Sequence, residues 1–263
     1  MMESIERFFQ QSLYSFKALF AWVDAKVYFL VKILNPILQL LFFCLLAKYC
    51  YNAKDLTQWV VGNSFLLCVY NCLFGIGNVF CVERYFGTLK MIIASPANKF
   101  ITFFERGFVH ILDSCFTVTI GLIAGGLIFN IDFHNVNIPV LIFVTVIAMF
   151  SAVGFGLFIG SFGMVASNMN LIMNILSMVL LALSGANIPL EYFPVTIQKI
   201  SYCLPITRSI QAANLAMKNQ EISKIIHLMG EEILLGIIYI ILGYTFMILM
   251  EKVAQKRASF DIY

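Results

Sequence analysis

The chain has few charged residues for its length. Of its 263 residues, 17 are Lys or Arg and 14 are Asp or Glu, so that 12% are charged, whereas 61% are hydrophobic. A typical soluble domain is about 25% charged. Because the apolar residues are also gathered into long blocks, this composition excludes an ordinary soluble domain and indicates a polytopic membrane protein.

Patterns typical of disulfide frameworks and metal sites are absent. No two of the seven cysteines form a C-x-x-C pair, and most lie inside apolar runs, which is typical of small buried hydrophobic residues. They are Cys44, Cys50, Cys68, Cys72, Cys81, Cys115 and Cys203. The sequence leaves open whether Cys50 and Cys203 are oxidised. The three histidines have no metal-ligand spacing, so no metal is expected.

The chain also lacks the G-x-x-x-x-G-K-[ST] sequence that cradles the phosphates of ATP. We therefore expect that it is not an enzyme and that it binds no cofactor itself. Any step driven by ATP would need a separate ATPase. No nucleic-acid partner is expected.

Six apolar runs are each near or above the ~20 residues that a helix needs to cross a ~30 Å hydrocarbon core. They cover residues 28–49, 57–80, 104–130, 138–163, 168–188 and 229–250. The predicted fold is an all-α integral membrane protein with a single transmembrane domain over residues 1–263. Gly156 and Gly160, four residues apart, predict a close approach of two helices.

Residues 1–26 combine charges with an apolar stripe at helical spacing. The stripe runs from Ile5 through Phe9 and Phe16 to Val23. This pattern is typical of an amphipathic helix that lies along the membrane surface rather than crossing it.

The distribution of Lys and Arg predicts the orientation in the membrane. Six spans put both termini on one side, and the segments on that side hold eleven of the 17 basic residues. Basic residues are in excess on the cytoplasmic side. We therefore expect a plasma-membrane protein whose termini and whose segment from Glu83 to Lys99 are cytoplasmic.

Two segments carry a family resemblance. The first reads Glu83-Arg84-Tyr85-Phe86-Gly87-Thr88-Leu89 and ends in Ser95-Pro96. The second runs from Leu183-Ser184-Gly185 through Pro189 and Pro194 to Leu204-Pro205-Ile206-Thr207. The first resembles the ER-x-x-GTL and SP signature of permease subunits in the ABC-2 export family, which have an ABCG-like fold. The second resembles the segment that follows the fifth span in that family.

This resemblance implies a role for each segment. Residues 1–26 would be the connecting helix, and residues 83–96 would be a coupling helix that docks on an ABC ATPase. The residues implied in coupling are Glu83, Arg84, Gly87, Thr88, Leu89, Ser95 and Pro96. Residues 189–205 would be re-entrant, with an outer gate formed by Ser184, Gly185, Pro189, Pro194 and Pro205. Tyr85, Phe86 and Lys90 depart from the usual pattern.

The resemblance also implies partners. Two ATPase subunits would carry ATP and Mg²⁺, and a second permease copy, identical or a paralogue, would complete the pathway. The expected substrate is amphipathic or hydrophobic, such as a drug, an antibiotic, a peptide or a lipid-like molecule. The alternative is the export of a polysaccharide or cell-wall polymer by the same architecture.

Polar residues recur at helical spacing on three of the spans. On the second and fifth spans they are Asn63, Asn71, Asn78, Asn170, Asn174 and Ser177. Amides are costly in hydrocarbon, so we expect these faces to line the pathway or a dimer interface; the alternative is hydrogen bonding within one subunit. On the third span Arg106, His110 and Asp113 share a face, and His110 with Asp113 gives a second alternative, an intramembrane enzyme.

Overall fold

The described part of the chain is almost entirely α-helical. A computed structural model describes residues 2–20, 24–96, 98–131, 133, 136–166, 168–219 and 221–257. Over these residues it contains ten α-helices, two 3₁₀ helices and no β-strand, which confirms the all-α class. The α-helices are α1 (Met2–Phe20), α2 (Ala25–Cys50), α3 (Thr57–Tyr85), α4 (Leu89–Ala94), α5 (Lys99–Phe129), α6 (Ile138–Ser161), α7 (Met169–Leu183), α8 (Val195–Ser201), α9 (Thr207–Met217) and α10 (Ile222–Arg257). The 3₁₀ helices are Phe162–Met164 and Leu190–Tyr192.

Five of the described helices are long and apolar enough to cross a membrane, namely α2, α3, α5, α6 and α10. They overlap five of the six predicted spans. α3 and α6 are the most buried of the five, whereas α2 and α10 expose most of their side chains. With 36 residues, α10 measures about 54 Å and extends well beyond a ~30 Å hydrocarbon core.

The span predicted at residues 168–188 is the exception. Its helix, α7, has 15 residues and measures about 22 Å, so the helix alone is too short to cross the hydrocarbon core. α7 ends at Leu183 because Gly185 has a left-handed φ of +81° and Pro189 cannot continue a helix. The expectation of six full-length transmembrane helices is therefore not supported at this position.

Glycine allows the two central helices to pack closely. Gly160 on α6 faces Gly77 on α3, and a Cβ at Gly160 would lie 3.0 Å from the Gly77 Cα. A Cβ at Gly156 would lie 3.3 Å from the Ile76 Cβ. Larger side chains would push α3 and α6 apart, which confirms the predicted close approach. α5 packs on α3, and α10 packs on α6.

The predicted N-terminal helix is present as α1, which packs along α5. The ring of Phe8 lies 5.2 Å from that of Phe108 on α5, in a T-shaped arrangement. Residue 1 and residues 21–23 of the predicted segment lie outside the described residues. The position of α1 along the membrane surface stays a prediction.

The bundle has two different ends. The α4 end holds α4, the start of α5 and residues 162–166, which follow α6. The α9 end holds residues 184–219, with α8 and α9, together with the starts of α3, α6 and α10. The helix α9 was not predicted, because it is too short for a span and follows Pro205 in what reads as a loop.

Candidate coupling site

A sharp turn at Gly87 joins α3 to α4. α3 ends at Tyr85, and the backbone N–H of Gly87 donates to the Arg84 carbonyl at 3.1 Å. Gly87 has a φ of +71°, the left-handed conformation that glycine adopts readily after the last turn of a helix. The Gly-Thr-Leu part of the motif therefore reverses the chain and starts α4.

α4 is short because proline follows it. Ser95 is extended, with a ψ of 144°, as is favoured for the residue before a proline. Within α4, the side chain of Leu89 is fully buried and that of Ile92 is 8% exposed. The predicted coupling helix over residues 83–96 is thus a six-residue helix, and its apolar side belongs to the protein core.

Glu83 ties three elements together. It lies in the last turns of α3 and is 7% exposed. Its carboxylate forms an ion pair with the guanidinium of Arg106 on α5 and accepts a hydrogen bond from the Thr88 hydroxyl. A buried carboxylate is tolerated when it is paired and hydrogen-bonded, and loss of one partner of such a pair is costly.

Arg84 connects α3 to the chain that follows α6, also at the α4 end. Its Nη1 donates to the carbonyl oxygen of Ala166 at 2.8 Å, which joins α3 to the chain after α6. Arg84 is 8% exposed. Both charged residues of the motif therefore point into the protein rather than toward a partner.

Four neighbouring residues point outward instead. Tyr85, Phe86 and Met91 are 73%, 63% and 74% exposed, and Lys90 is also exposed. The Tyr85 and Phe86 rings contact each other at 5.5 Å. We call these four residues the α4 patch. Large apolar side chains grouped on a surface are typical of interaction sites.

The predicted polar stripe on α3 makes hydrogen bonds within the chain. The Asn63 amide donates to the side-chain oxygen of Asn187 at 3.0 Å, and the Asn71 amide donates to the Thr117 hydroxyl at 2.6 Å. Asn78 is half-buried, and its Oδ1 has no hydrogen-bond partner among the described residues. For Asn63 and Asn71 this geometry corresponds to hydrogen bonding within one subunit, and a pathway role stays a prediction.

The predicted stripe on α7 has a different environment. Asn170 and Asn174 are exposed, whereas Ser177 is half-buried and its hydroxyl donates to the Asn174 carbonyl at 2.8 Å. The Tyr70 hydroxyl donates to the Ser177 carbonyl at 2.6 Å and links α3 to α7. The exposed side of α7 also carries Leu171, Ile175 and Met178.

The predicted gate residues all lie in the irregular chain at the α9 end. Ser184 and Gly185 are buried where α7 ends. Pro189 precedes the second 3₁₀ helix, Pro194 precedes α8, and Pro205 is buried before α9. The prolines thus separate short helices, as the sequence suggested, while the gating role stays a prediction.

Sequence reasoning missed the side chains that hold this irregular chain. The Trp59 indole donates to the Asn187 carbonyl at 3.0 Å, and the backbone N–H of Ile206 donates to Glu232 Oε1 at 2.9 Å. Glu232 is an acidic residue inside the predicted span 229–250. An ionisable residue inside an apolar run indicates that its side chain has a buried polar partner. This signal in the sequence could have identified Glu232.

Arg106, His110 and Asp113 do not converge on one site. Arg106 pairs with Glu83, and Asp113 pairs with Lys32 on α2, while His110 is buried. Among the described residues no group of three His, Cys, Asp or Glu side chains could hold a metal ion. The arrangement gives no support to an intramembrane enzyme, because each charged side chain is engaged by a different helix.

Comparison with known proteins gives one finding on identity. Residues 11–218 match the family described as ABC-2 type transporter. The match includes the turn at Gly87, α4, α7 and α9. No curated protein matches the chain. Proteins of this family are transport subunits rather than enzymes and normally partner with an ABC ATPase. The chain therefore belongs to the ABC-2 type transporter family, as a multi-pass membrane permease subunit.

Proposed function

We propose that the chain exports an amphipathic or hydrophobic substrate out of the cytoplasm, powered by two ABC ATPase subunits that carry ATP and Mg²⁺. Two permease copies, identical or paralogous, form the pathway. The observation that carries this proposal is the division of residues 83–96 into a buried half and an exposed half. A coupling element needs both, because it must contact a partner and also move the helices behind it.

The buried half acts as the connection to the bundle. Glu83 joins α3 to α5, Arg84 joins α3 to the chain after α6, and Leu89 packs in the core. Protein interiors are close-packed and transmit displacement. A push on α4 therefore moves several transmembrane helices together.

The exposed half supplies the contact with the ATPase. Aromatic residues and methionine are enriched in protein interfaces and supply many of the side chains that dominate binding. Three of the four residues of the α4 patch are of these types. Because Tyr85, Phe86 and Lys90 also depart from the usual family pattern, we propose that the patch selects the cognate ATPase.

Six crossings remain our proposal despite the short α7. Arg84 contacts Ala166, and Asn63 contacts Asn187. Along α3, Asn63 and Arg84 are about 32 Å apart, so the chain from Ala166 to Asn187 covers about the thickness of a hydrocarbon core. Irregular backbone at this depth is tolerated where protein covers it. Both termini and the α4 end would then be cytoplasmic, in the plasma membrane.

Two open apolar grooves on the surface of the bundle are compatible with a hydrophobic substrate or with lipid. One of about 770 Å³ lies between α5 and α6, and one of about 410 Å³ lies between α5, α6 and α10. Cys115 and Val146 line both. The hydroxyls of Thr119 and Thr145 donate to carbonyls of their own helices. Apolar groups fit such grooves, whereas a sugar would find few hydrogen-bond partners in them.

The exposed side of α7 supports a dimer. An amide that faces hydrocarbon loses hydrogen bonds, which costs several kcal/mol, so a second copy is the better neighbour for Asn170 and Asn174. We expect the Asn174→Cys variant to cross-link between copies, and the Asn71→Cys variant, at a half-buried site that bonds to α5, to remain uncross-linked. If Asn174→Cys fails to cross-link in every nucleotide state, α7 is not the interface.

The coupling role is tested on the α4 patch. The permease is purified from its native membrane with its ATPase, which mass spectrometry identifies, and substrate-stimulated ATP hydrolysis is measured. We expect Phe86→Asp and Met91→Asp to abolish the stimulation. The control is Tyr49→Asp, because Tyr49 is 74% exposed near the end of α2 and outside the proposed coupling and gate segments. Equal activity in all three variants would exclude the patch from coupling.

Changes at Gly87, Thr88 and Leu89 test the same role less cleanly. Bulky charged residues at these three positions are expected to abolish transport. However, Leu89 is fully buried, and a charge there would also disturb folding. Substitutions at the exposed residues of the α4 patch test coupling without disturbing the core, so they separate an effect on coupling from an effect on folding.

A further inference from the structure

Ile206 has a backbone conformation that its side chain disfavours. It directly precedes α9 and has a φ of +103°. A left-handed backbone is unusual for any residue except glycine and is strained for a β-branched one. Such strain persists only where the surroundings hold the residue in place. Ile206 is fully buried, so the groups that hold it belong to the protein.

A buried carboxylate on α10 holds the Ile206 N–H, while the Ile206 carbonyl accepts from the Ile210 N–H of α9 at 2.8 Å. The Ile206 backbone N–H donates to Glu232 Oε1 at 2.9 Å, and the Glu232 side chain is fully buried. Its second oxygen, Oε2, has no hydrogen-bond partner among the described residues. The Ser151 hydroxyl on α6 approaches the carboxylate without forming a hydrogen bond of good geometry. A buried carboxylate oxygen without a partner is costly, and the hydrogen bond from the Ile206 N–H offsets part of that cost.

Two neighbouring residues of α10 fasten the same turn. The Tyr239 hydroxyl donates to the Cys203 carbonyl. Glu231 accepts from Arg208 Nε at 2.7 Å, and Arg208 Nη1 donates to the Tyr202 carbonyl at 2.5 Å. α10 thus fixes the backbone at several points between residues 202 and 206. Among these contacts, the one between Glu232 and the strained residue Ile206 is buried.

α10 also reaches the opposite end of the bundle. It is one continuous helix over Ile222–Arg257. Near its other end Glu251 pairs with Lys99 at the start of α5. Glu232 and Glu251 are about 28 Å apart along the helix. A rigid helix therefore connects the α4 end to the strained turn.

We propose that Glu232 is the positioning residue of the α9 end, which holds Ile206 in its left-handed conformation and thereby keeps the turn at residues 202–206 in place. When the contact with Glu232 breaks, Ile206 relaxes to an ordinary backbone conformation and the start of α9 moves. The link to gating rests on the proposed export function, in which this turn is part of the outer gate. The conformational role of Glu232 does not depend on it.

The turn contains its own reporter, because Cys203 is exposed. The reaction of Cys203 with a membrane-impermeant maleimide is measured on the purified permease in detergent, with Cys50, exposed at the end of α2, as the internal reference. We expect Glu232→Ala to change the rate at Cys203 by about tenfold, since release of local strain shifts the turn to another conformation. The rate at Cys50 is expected to stay the same.

Two further variants separate positioning from loss of folding. Glu232→Gln keeps a carbonyl oxygen for the Ile206 N–H, so the Cys203 rate should remain near that of the unmodified chain. Ile206→Gly removes the strain, because glycine adopts a positive φ freely; combined with Glu232→Ala, it should restore the original rate. The double variant also provides the test if Glu232→Ala alone is too unstable to purify.

The outcomes are decisive without a transport assay. An unchanged Cys203 rate in Glu232→Ala overturns the proposal, as does a failure of Ile206→Gly to restore the rate in the double variant. If the rates behave as expected and no ATP-driven export is found, the positioning role stands and the proposed function fails. The two failures are therefore distinguishable.

Discussion

The two ends of the bundle differ in the balance between side-chain and backbone contacts. At the α4 end, ion pairs join helices, as in Glu83 with Arg106 and Lys99 with Glu251, and Arg84 adds a bond to a backbone carbonyl. At the α9 end, side chains bond mainly to backbone groups, as in Glu232 with the Ile206 N–H and Trp59 with the Asn187 carbonyl, beside one ion pair of Arg208 with Glu231. The backbone at the α4 end is mostly helical and satisfies its own hydrogen bonds. The backbone at the α9 end is irregular, so its N–H and C=O groups need other partners.

This difference has a mechanical consequence. Ion pairs join helices at the α4 end, so under the proposed function these helices would move together. Bonds from side chains to an irregular backbone can be exchanged one at a time, so the α9 end can rearrange locally while the helices stay intact. The α4 end is suited to receive a displacement, and the α9 end is suited to respond to it.

Among the polar contacts, the largest loss of stability is expected from Glu83→Ala at the α4 end. This change leaves Arg106 without its partner, and breaking a buried pair costs about 3–5 kcal/mol. The Arg106 side chain is 28% exposed, so we expect about 3 kcal/mol. The thermal midpoint of the purified permease should fall clearly. Glu191→Ala, at an exposed site of the α9 end, is the control, and equal midpoints would show that the ion pair does not hold the α4 end.

A smaller and more local loss is expected from Trp59→Phe at the α9 end. The Asn187 carbonyl loses its indole donor, which costs about 1–3 kcal/mol. Limited proteolysis should cut residues 184–219 faster, while the thermal midpoint falls less than in Glu83→Ala. Tyr49→Phe, at an exposed ring of α2, serves as the control. Cleavage at an unchanged rate would mean that this contact does not restrain the α9 end.

A still smaller effect with a pH signature is expected from Asp55→Asn. The Asp55 carboxylate accepts hydrogen bonds from the Thr57 hydroxyl at 2.6 Å and the Thr57 N–H at 2.9 Å. The hydroxyl bond lowers the pKa of Asp55. The ionised Asp55 carboxylate therefore contributes its full stabilisation of the fold above the unfolded pKa of about 3.9. This stabilisation is lost as the pH falls through the lower pKa of the folded state.

The measurement for Asp55 is the thermal midpoint as a function of pH. Near pH 7 the Asn variant should be less stable by about 0.5–1.5 kcal/mol. The difference in stability between the unmodified chain and the Asn variant should decrease as the pH falls below 4. A gap that stays constant with pH would show that the charge of Asp55 contributes nothing.

The smallest effect on stability is expected in the α4 patch. Met91 is 74% exposed, and Met91→Ser should change the free energy of unfolding by less than about 0.5 kcal/mol. Leu89, two residues earlier in the same helix, is fully buried, and Leu89→Ala should cost about 2–5 kcal/mol. Thermal melts of the two variants compare the two faces of α4. Similar losses in both would contradict the division into a contact face and a core face.

Much of the fold was predictable from local sequence. Long apolar runs gave helices at α2, α3, α5, α6 and α10, because a run of that length and composition is stable as a membrane-crossing helix. The end of α4 before Pro96 was also predictable, since proline cannot continue a helix. The turn at Gly87 was not predicted, because a coupling helix was expected over residues 83–96. The existence of α9 was not predicted either, because it depends on how an irregular segment packs at the α9 end. The early end of α7 was missed, although Gly185 and Pro189 carry a local signal for it.

The sequence by itself determined the membrane class, the positions of the apolar helices and the residues of the motif. Only the tertiary structure decided which way those residues point: Glu83 and Arg84 into the protein, Phe86 and Met91 out of it. It also decided the pairing of Ile206 with Glu232, which are 26 residues apart. Local preferences act over a few residues, whereas burial and pairing depend on which helices become neighbours once the whole bundle has packed.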